Sequence, residues 1–227
     1  MIKWHTRGRV WFFDLDDTLH DASHAIFGAI DARMTDFVAR HLGLERGDAD
    51  RLRLHYWRRY GATLLGMVRH HRVDPHHFLR ATHDFDVTGL LRAERGMASV
   101  LGRLRGRKVL MSNAPGHYAA QVLRGVGLHR HIRVRYPIES LRLHGHFRPK
   151  PSVSMFRAIL ARERIAGRAN AGRAVLVDDN VGNLKAARAA GFSTVLRVGP
   201  GARRAQAGSA YVDARVRTVR QLTRRLG

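Results

Sequence analysis

The segment that most constrains the fold runs from Val10 to Leu19, where large apolar residues lead directly into carboxylates, in the order VWFFDLDDTL. An uninterrupted apolar run of this kind predicts a strand buried on both faces, as in a parallel sheet covered by helices. Ligands of open α/β sheets bind beyond the carboxyl ends of such strands. Carboxylates crowded at that place repel one another, which favours a hard divalent cation with oxygen ligands between them.

Apolar strand patterns alternate with helical patterns along most of the chain. The strand patterns cover residues 9–14, 108–112, a weaker 132–135, 174–178 and 193–197, and the helical patterns cover 97–105, 116–126, 152–166 and 182–190. This alternation predicts an α/β protein with a doubly wound, Rossmann-like parallel sheet. Beyond Gly199, a tail rich in Arg, Ala and Gly is expected to wrap the surface and to end in a short helix near 217–226.

Residues 20–92 break the alternation. They contain amphipathic helical patterns, including 25–42 and 49–60, and no convincing strand. We therefore expect an α-helical insertion after the first strand. The predicted organisation is a catalytic core formed by residues 1–19 and 93–227, with a helical cap formed by residues 20–92.

Composition excludes some classes of function and leaves others open. The chain has no cysteine, which rules out thiolate metal sites and cysteine nucleophiles. Its formal charge is +23, but 37 of the 41 basic residues are Arg, spread along nearly the whole length. Without a nucleic-acid-binding motif, this charge predicts nonspecific attraction to polyanions at low salt rather than a specific nucleic-acid partner. No apolar stretch approaches the ~20 residues of a membrane span, and a cytoplasmic protein without a membrane partner is expected. The oligomeric state stays open.

The first cluster of chemically useful residues is the carboxylate pair Asp14 and Asp16. An Asp carboxylate can act as a nucleophile and form an aspartyl-phosphate. A second carboxyl group nearby could protonate the leaving oxygen and then activate water. The alternative, an Asx turn that caps the next helix, suits Asp17 and Thr18 but does not explain two acids at the end of a buried strand.

Two further segments could bind phosphate. Ser112 and Asn113 close the second strand and precede a helix, so side chains and backbone N–H groups there can bind an anion, although either residue could simply cap the helix. Lys150 lies between two prolines in a chain with only four lysines. A compact ammonium group suits a bridge between a phosphate and a carboxylate, and a surface turn is the alternative.

The strand at 174–178 ends in Asp178 and Asp179, a second pair of acids. Together with Asp14 they could complete a magnesium site, because Mg²⁺ uses few carboxylates together with waters and substrate phosphate. Capping of the following helix by Asp179 or Asn180 is the alternative. Five of the 18 acidic residues lie at these two strand ends.

The sequence resembles the haloacid dehalogenase superfamily in four segments that follow one another in the expected order: DLDDT, SNAP, PKP and VDDNVGN. The resemblance covers residues 8–20 and 93–198, and the helical insertion resembles the superfamily's cap of the first type. Three further segments, FFDLDDTLHDASHAIF, RRYGATLLG and RAERGM, resemble the pyrimidine 5′-nucleotidase branch. Asp17 stands where relatives of that branch often have Asn.

The resemblance implies a role for each of these site residues. Asp14 would be the nucleophile and Asp16 the general acid and base. The transferring phosphoryl group would be held by Thr18, Ser112, Asn113 and Lys150. Magnesium, the implied cofactor, would bind Asp14, the backbone carbonyl of Asp16, and Asp179, with Asp178 as an alternative ligand.

The implied substrate is a small phosphomonoester, and the branch resemblance favours a pyrimidine nucleoside 5′-monophosphate. The alternative is a phosphatase of small sugar phosphates or phosphoglycolate, whose core motifs would be the same. The cap is expected to recognise the base, and the candidate residues are His20 and Tyr60, and more weakly Tyr56 and Trp57. The alternative for each is a side chain of the core or of a helix surface without a role in binding. Dehalogenation is disfavoured because halide leaves without a proton. A binding protein on an inactive scaffold is disfavoured because every expected catalytic position is occupied.

Overall fold

The computed structural model describes residues 8–167, 170, 172–198 and 210–225, and the chain divides into two compact units. One unit comprises the chain up to Asp21 and from Arg92 onward, and the other comprises Ala22–Leu91. In chain order the elements are β1 Val10–Phe13, α1 Ile26–Leu42, α2 Arg46–Tyr60, α3 Thr63–His71, α4 Pro75–His83, α5 Met97–Arg103, β2 Arg107–Met111, α6 Gly116–Gly125, β3 Arg133–Tyr136, β4 Arg142–Leu143, β5 His146–Phe147, α7 Val153–Arg162, β6 Ala174–Asp178, α8 Val181–Ala190, β7 Ser193–Arg197, β8 Ala214–Val216 and α9 Arg220–Arg225.

The first unit is built on a parallel sheet. Within the described residues it has six strands in the order β3-β2-β1-β6-β7-β8, and every neighbouring pair is parallel. The strand order changes direction between β1 and β6, which is the place where open α/β sheets bind ligands. The predicted α/β fold with a doubly wound sheet is confirmed.

The central strand β1 is apolar because both of its faces are covered. Trp11, Phe12 and Phe13 have no exposed surface. Side chains alternate across a strand, so Phe12 faces one layer, where it packs edge-to-face on Phe192 with ring centroids 5.2 Å apart. Trp11 and Phe13 stack on each other on the opposite face. Burial on both sides fixes the register of β1, and with it the position of the residues that follow.

The second unit consists of the helices α1 to α4. Helices α2 and α3 pack closely at Gly66, where an added Cβ would lie 2.1 Å from Cγ of Tyr56. Between α1 and α2, the buried Arg53 side chain donates hydrogen bonds to Asp31, Asp50 and Thr35. These contacts neutralise a buried guanidinium group, whose burial would otherwise be costly.

Several short elements were not anticipated from the sequence. Strand β8 has three residues, and β4 and β5 form an antiparallel hairpin of two residues each. Runs of this length do not establish a hydrophobic period. The last helix is shorter than predicted and begins at Arg220, whereas the predicted surface course of residues 199–209 lies outside the described residues. Among the helices that are described, none has the length and apolar character needed to cross a bilayer.

Replacing Phe12 by Ala is expected to lower the free energy of unfolding by about 3–5 kcal/mol, because it removes a fully buried ring and leaves a cavity. Urea unfolding measured by circular dichroism checks this. Trp57→Ala is the control, because that side chain is 57% exposed and its loss should change stability by about 0.5 kcal/mol or less. Equal losses in the two variants would contradict the burial of Phe12.

Candidate active site

Four segments of the first unit bring polar side chains to the carboxyl edge of the sheet. Adjacent parallel strands end at the same edge, and Phe13 of β1 is in register with Leu110 of β2 and Val177 of β6. The Asp14 N–H donates to the carbonyl of Val177 at 3.0 Å, which ties the end of β1 to the end of β6. The loop before α7 adds Lys150 to the group.

Three carboxylates and one ammonium group form the centre of the site. Oxygens of Asp14, Asp178 and Asp179 lie within 4.8 Å of one another. Lys150 Nζ lies 2.8 Å from Asp14 Oδ1 and 2.7 Å from Asp178 Oδ2. All four residues are at least partly buried, so water screens the repulsion among the carboxylates only weakly.

Three carboxylates surround a single ammonium group, so the positive charge of Lys150 compensates only part of the negative charge of this cluster. Burial raises the pKa of Asp14 well above its ordinary value; the nearby Lys150 charge opposes this rise, and Asp178 and Asp179 add to it. Burial, followed by the charge of Asp178, raises the pKa of Asp179 to about 7. Burial alone would lower the pKa of Lys150, but Asp14 and Asp178 outweigh it, so the pKa is raised and the ammonium stays charged.

The donor set fits a divalent cation. Asp178 already accepts hydrogen bonds from Lys150 Nζ, from the Asn180 N–H at 2.9 Å and from Asn183 Nδ2 at 3.0 and 3.1 Å. A carboxylate offers about four lone-pair sites, so Asp178 is suited to positioning Lys150. Asp14 and Asp179 could hold Mg²⁺, which prefers hard oxygen ligands and would supply the missing positive charge.

The chain turns sharply after Asp14. The N–H groups of Thr18 and Leu19 both donate to the Leu15 carbonyl, at 3.3 and 2.8 Å. Asp17 has φ of +56°, a left-handed conformation that Asp and Asn tolerate better than most residues. The Thr18 hydroxyl is buried, and within the described residues it has no hydrogen-bond partner. An unpaired buried hydroxyl is costly, so Thr18 is suited to a ligand oxygen.

Asp16 is held by two side chains. Its Oδ1 accepts a hydrogen bond from the Tyr118 hydroxyl at 2.8 Å and contacts His20 Nε2 at 2.9 Å. Burial, and then the charge of Asp16, raise the pKa of Tyr118 well above its ordinary value, so it keeps its proton. From the sequence, His20 was expected in the helical insertion; in the structure it belongs to the sheet unit. The reason is that the chain stays at the sheet edge through the turn, where a bridge joins Asp16 to His20.

Ser112 and Asn113 take different roles after β2. Ser112 Oγ accepts a hydrogen bond from the Ala114 N–H at 3.0 Å, which leaves its own proton for an anion. The Asn113 side chain donates to the Lys150 carbonyl and accepts from the Lys150 N–H, both at 2.9 Å. Both amide atoms therefore hold the Lys150 backbone, and the second N–H of the amide is not used in these bonds. The phosphate contact of Asn113 stays a prediction. The backbone N–H of Asn113 stays a candidate phosphate donor.

The candidate base-reading residues of the second unit contact histidines of the same unit. The Tyr60 hydroxyl lies 2.7 Å from His70 Nε2, and the Tyr56 hydroxyl lies 2.7 Å from His71 Nε2. Trp57 is more than half exposed. A role of these residues in substrate recognition stays a prediction.

Tyr118, which contacts Asp16, was missed from the sequence. Tyr118 was not considered because its partner lies 102 residues away, and the bonds between Asn113 and Lys150 were not anticipated because these residues lie 37 apart. The available signal for Tyr118 was its place in the first turn of the helix after SNAP. The sequence left open whether Asp179 or Asn180 caps the helix that follows β6. The structure shows that Asn180 caps this helix, α8, and that its side chain accepts hydrogen bonds from the Gly182 and Asn183 N–H groups.

Comparison with known proteins identifies the family. The profile of the haloacid dehalogenase-like hydrolases matches residues 9–191. Phosphate metabolism protein 8 of Saccharomyces cerevisiae is 22% identical over 205 residues, which cover 84% of this chain and 61% of that protein. The chain therefore spans less than two thirds of the length of this curated relative.

Solved structures share the fold. YfnB of Bacillus subtilis, described as a HAD-hydrolase bound to magnesium, has a TM-score of 0.60 at 15% identity, covering 97% of this chain and 99% of that one. CbbY of Rhodobacter sphaeroides, solved in complex with phosphate, has a TM-score of 0.61 at 17% identity, covering 94% and 96%. At these identities the similarity establishes the architecture alone.

Asp179→Asn is expected to stabilise the metal-free protein at pH 7.5. Because the pKa of Asp179 is raised in the folded state to about 7, folding retains a proton that the unfolded chain releases, and wild-type stability falls as the pH rises from about 4 to 7. The free energy of unfolding of the variant does not fall in this way, because Asn does not titrate. Thermal unfolding in EDTA should therefore show a higher Tm for the variant at pH 7.5, by about 2–4 °C per kcal/mol of repulsion removed, and a smaller difference at pH 5.

Asp84→Asn is the matched control, because it makes the same charge change at an exposed position. Saturating Mg²⁺ should raise the Tm of the wild type and of Asp84→Asn more than that of Asp179→Asn, because binding stabilises only a folded state that has the site. Identical Tm values for wild type and Asp179→Asn at both pH values would contradict the repulsion inferred here.

Proposed function

The chain belongs to the haloacid dehalogenase-like hydrolase family, and from this premise we propose that it is a magnesium-dependent phosphomonoester hydrolase with Asp14 as the nucleophile. The observation that carries the proposal is the buried cluster in which Lys150 Nζ lies 2.8 Å from Asp14 Oδ1, beside Asp179. A carboxylate can attack a phosphate dianion when positive charge neutralises both anions. Lys150 provides such a charge beside Asp14, and the carboxylates of Asp14 and Asp179 could bind a divalent cation that provides a second.

In the first step, an Asp14 oxygen forms a bond to phosphorus while the bond from phosphorus to the leaving oxygen breaks. Lys150 offsets the charge of nucleophile and phosphate together, because its ammonium group already contacts Asp14. The hydroxyl groups of Thr18 and Ser112 donate hydrogen bonds to phosphate oxygens. Bound magnesium would supply further charge neutralisation between Asp14, Asp179 and the phosphate.

Asp16 moves the protons in both steps of the proposed reaction. It gives its proton to the departing oxygen, so that an alcohol leaves instead of an alkoxide. As a carboxylate it then takes a proton from water, whose oxygen attacks the phosphorus of the aspartyl-phosphate. Inorganic phosphate leaves, and both Asp14 and the protonated Asp16 are regenerated. Asp16 is suited to this exchange because its side chain keeps 18% exposure, next to the buried Asp14.

The proposed substrate class is the pyrimidine nucleoside 5′-monophosphates. Its support is the resemblance of the segments around Asp14, Tyr60 and Glu94 to the pyrimidine 5′-nucleotidase branch, together with the helical second unit as a cap of the first type. Small sugar phosphates and phosphoglycolate are the alternative substrates, since the same sheet-edge residues would cleave them. A cytoplasmic location and the lack of a specific nucleic-acid partner stay predictions.

Asp14→Asn is expected to lower kcat on an aryl phosphate by about 10³-fold or more, because an amide is a poor nucleophile at phosphorus. Phosphate release in Mg²⁺ measures the loss, and circular dichroism with thermal unfolding verifies the fold. Lys185→Gln is a control for removal of charge, since Lys185 is exposed on α8 and should leave turnover unchanged. Turnover retained by Asp14→Asn would remove Asp14 from the nucleophilic role.

The substrate class is tested by kcat/KM for UMP, CMP, dUMP, AMP, glucose 6-phosphate and phosphoglycolate under one set of conditions. We expect the pyrimidine nucleotides to exceed the others by about tenfold or more, a difference of about 1.4 kcal/mol in transition-state binding. Equal values for UMP and AMP would refute the pyrimidine assignment. A higher value for either of the last two compounds would support the alternative.

A further inference from the structure

Two side chains of the described part of the chain anchor the Asp16 carboxylate through one of its oxygens. The Tyr118 hydroxyl and His20 Nε2 both contact the same oxygen, Oδ1, at 2.8 and 2.9 Å. The anchoring side chains are deeply buried, with relative exposures of 0% for Tyr118 and 4% for His20. The second oxygen of Asp16, Oδ2, takes part in neither contact, and the Asp16 side chain is 18% exposed.

The two anchors come from different parts of the sheet unit. His20 lies at the end of the turn that follows β1, four residues after Asp16. Tyr118 lies in the first turn of α6, which begins directly after the loop that contains Ser112. Tyr118 therefore ties the turn bearing Asp14 and Asp16 to the loop proposed to hold the phosphate. Both rings are fixed by burial, so the geometry of Asp16 is set before any ligand binds.

We propose that Tyr118 and His20 are positioning residues that hold Asp16 through Oδ1 so that Oδ2 faces the leaving oxygen. This inference rests on the proposed function, because it assigns the anchors to the acid of that same reaction. Neither anchor touches the phosphate. Each acts by restricting the rotation of the Asp16 side chain, which would otherwise be free to turn its acidic proton away from the bond that breaks.

A purely structural role is the competing explanation, because a buried tyrosine hydroxyl usually has a partner whatever its function. The two explanations differ in their dependence on the leaving group. A sugar hydroxyl is a poor leaving group and needs a proton from Asp16. A dinitrophenolate leaves without a proton, so misplacement of Asp16 should scarcely affect its departure.

The test compares Tyr118→Phe with wild type on UMP and on 2,4-dinitrophenyl phosphate in Mg²⁺. The measured quantity is kcat/KM, which reports the step that phosphorylates Asp14 and excludes the later hydrolysis. We expect kcat/KM to fall by about tenfold or more on UMP and by about twofold or less on the dinitrophenyl ester. Most of the fall on UMP should lie in kcat, because the hydroxyl does not bind substrate.

Tyr136→Phe is the matched control. Tyr136 is a second buried tyrosine of the same unit, and its hydroxyl donates to Glu163 instead of Asp16. Removal of the Tyr136 hydroxyl should change kcat/KM for UMP and for the dinitrophenyl ester by the same factor. His20→Leu should reproduce the selective loss on UMP, and His20→Gln should restore much of it, because the Gln amide can donate to the same oxygen.

Equal losses on both substrates, or no loss in Tyr118→Phe, would overturn the inference and leave the proposed function standing. A wild-type protein inert toward both substrates in Mg²⁺ would overturn the proposed function and this inference with it. Circular dichroism and Tm measurements identify any variant that fails to fold; the Gln variant at position 20 then decides the question, since rescue supports positioning and continued loss refutes it.

Discussion

The placement of one ammonium group between two buried carboxylates is the interaction on which the site depends. Lys150 contacts Asp14, which follows β1, and Asp178, which ends β6, and Lys150 itself lies in the loop before α7. Its backbone is held in turn by the Asn113 amide, and Asp178 is held by Asn183. Loss of any member of this group would remove one of the partners of another buried group, and buried charges are costly when their partners are removed. Catalytic geometry and local stability therefore depend on the same contacts.

The parallel sheet and the polar residues at its carboxyl edge could be predicted because they follow from local sequence patterns. A strand such as Val10–Phe13 is apolar throughout only when both faces are covered, and acids at the end of such a strand have no structural explanation. The alternation with helices then fixes a parallel sheet. Those inferences need only the order of residues along the chain, and the α/β fold they predict is the one observed.

What the sequence could not provide is the choice among partners. Asn113 carries two donors and an acceptor that suit a phosphate and a peptide group equally well, and its bonding to Lys150 depends on a loop 37 residues away. In the sequence, Tyr118 fits the apolar face of a helix, and its hydrogen bond to Asp16 is apparent only from the tertiary structure. Strands of two or three residues, such as β4, β5 and β8, form because neighbours are already in place rather than because of their own pattern.

The left-handed backbone at Asp17 has a consequence for how this site can vary between lineages. Asp and Asn tolerate that conformation well, while β-branched residues strain it. Burial and the charge of Asp178 raise the pKa of Asp179, Lys150 opposes this rise, and the charge at position 17 adds to it. A single nucleotide exchange interconverts the codons for Asp and Asn. Mutation at this codon can therefore adjust the electrostatics around Asp179 in one step, without altering the path of the chain.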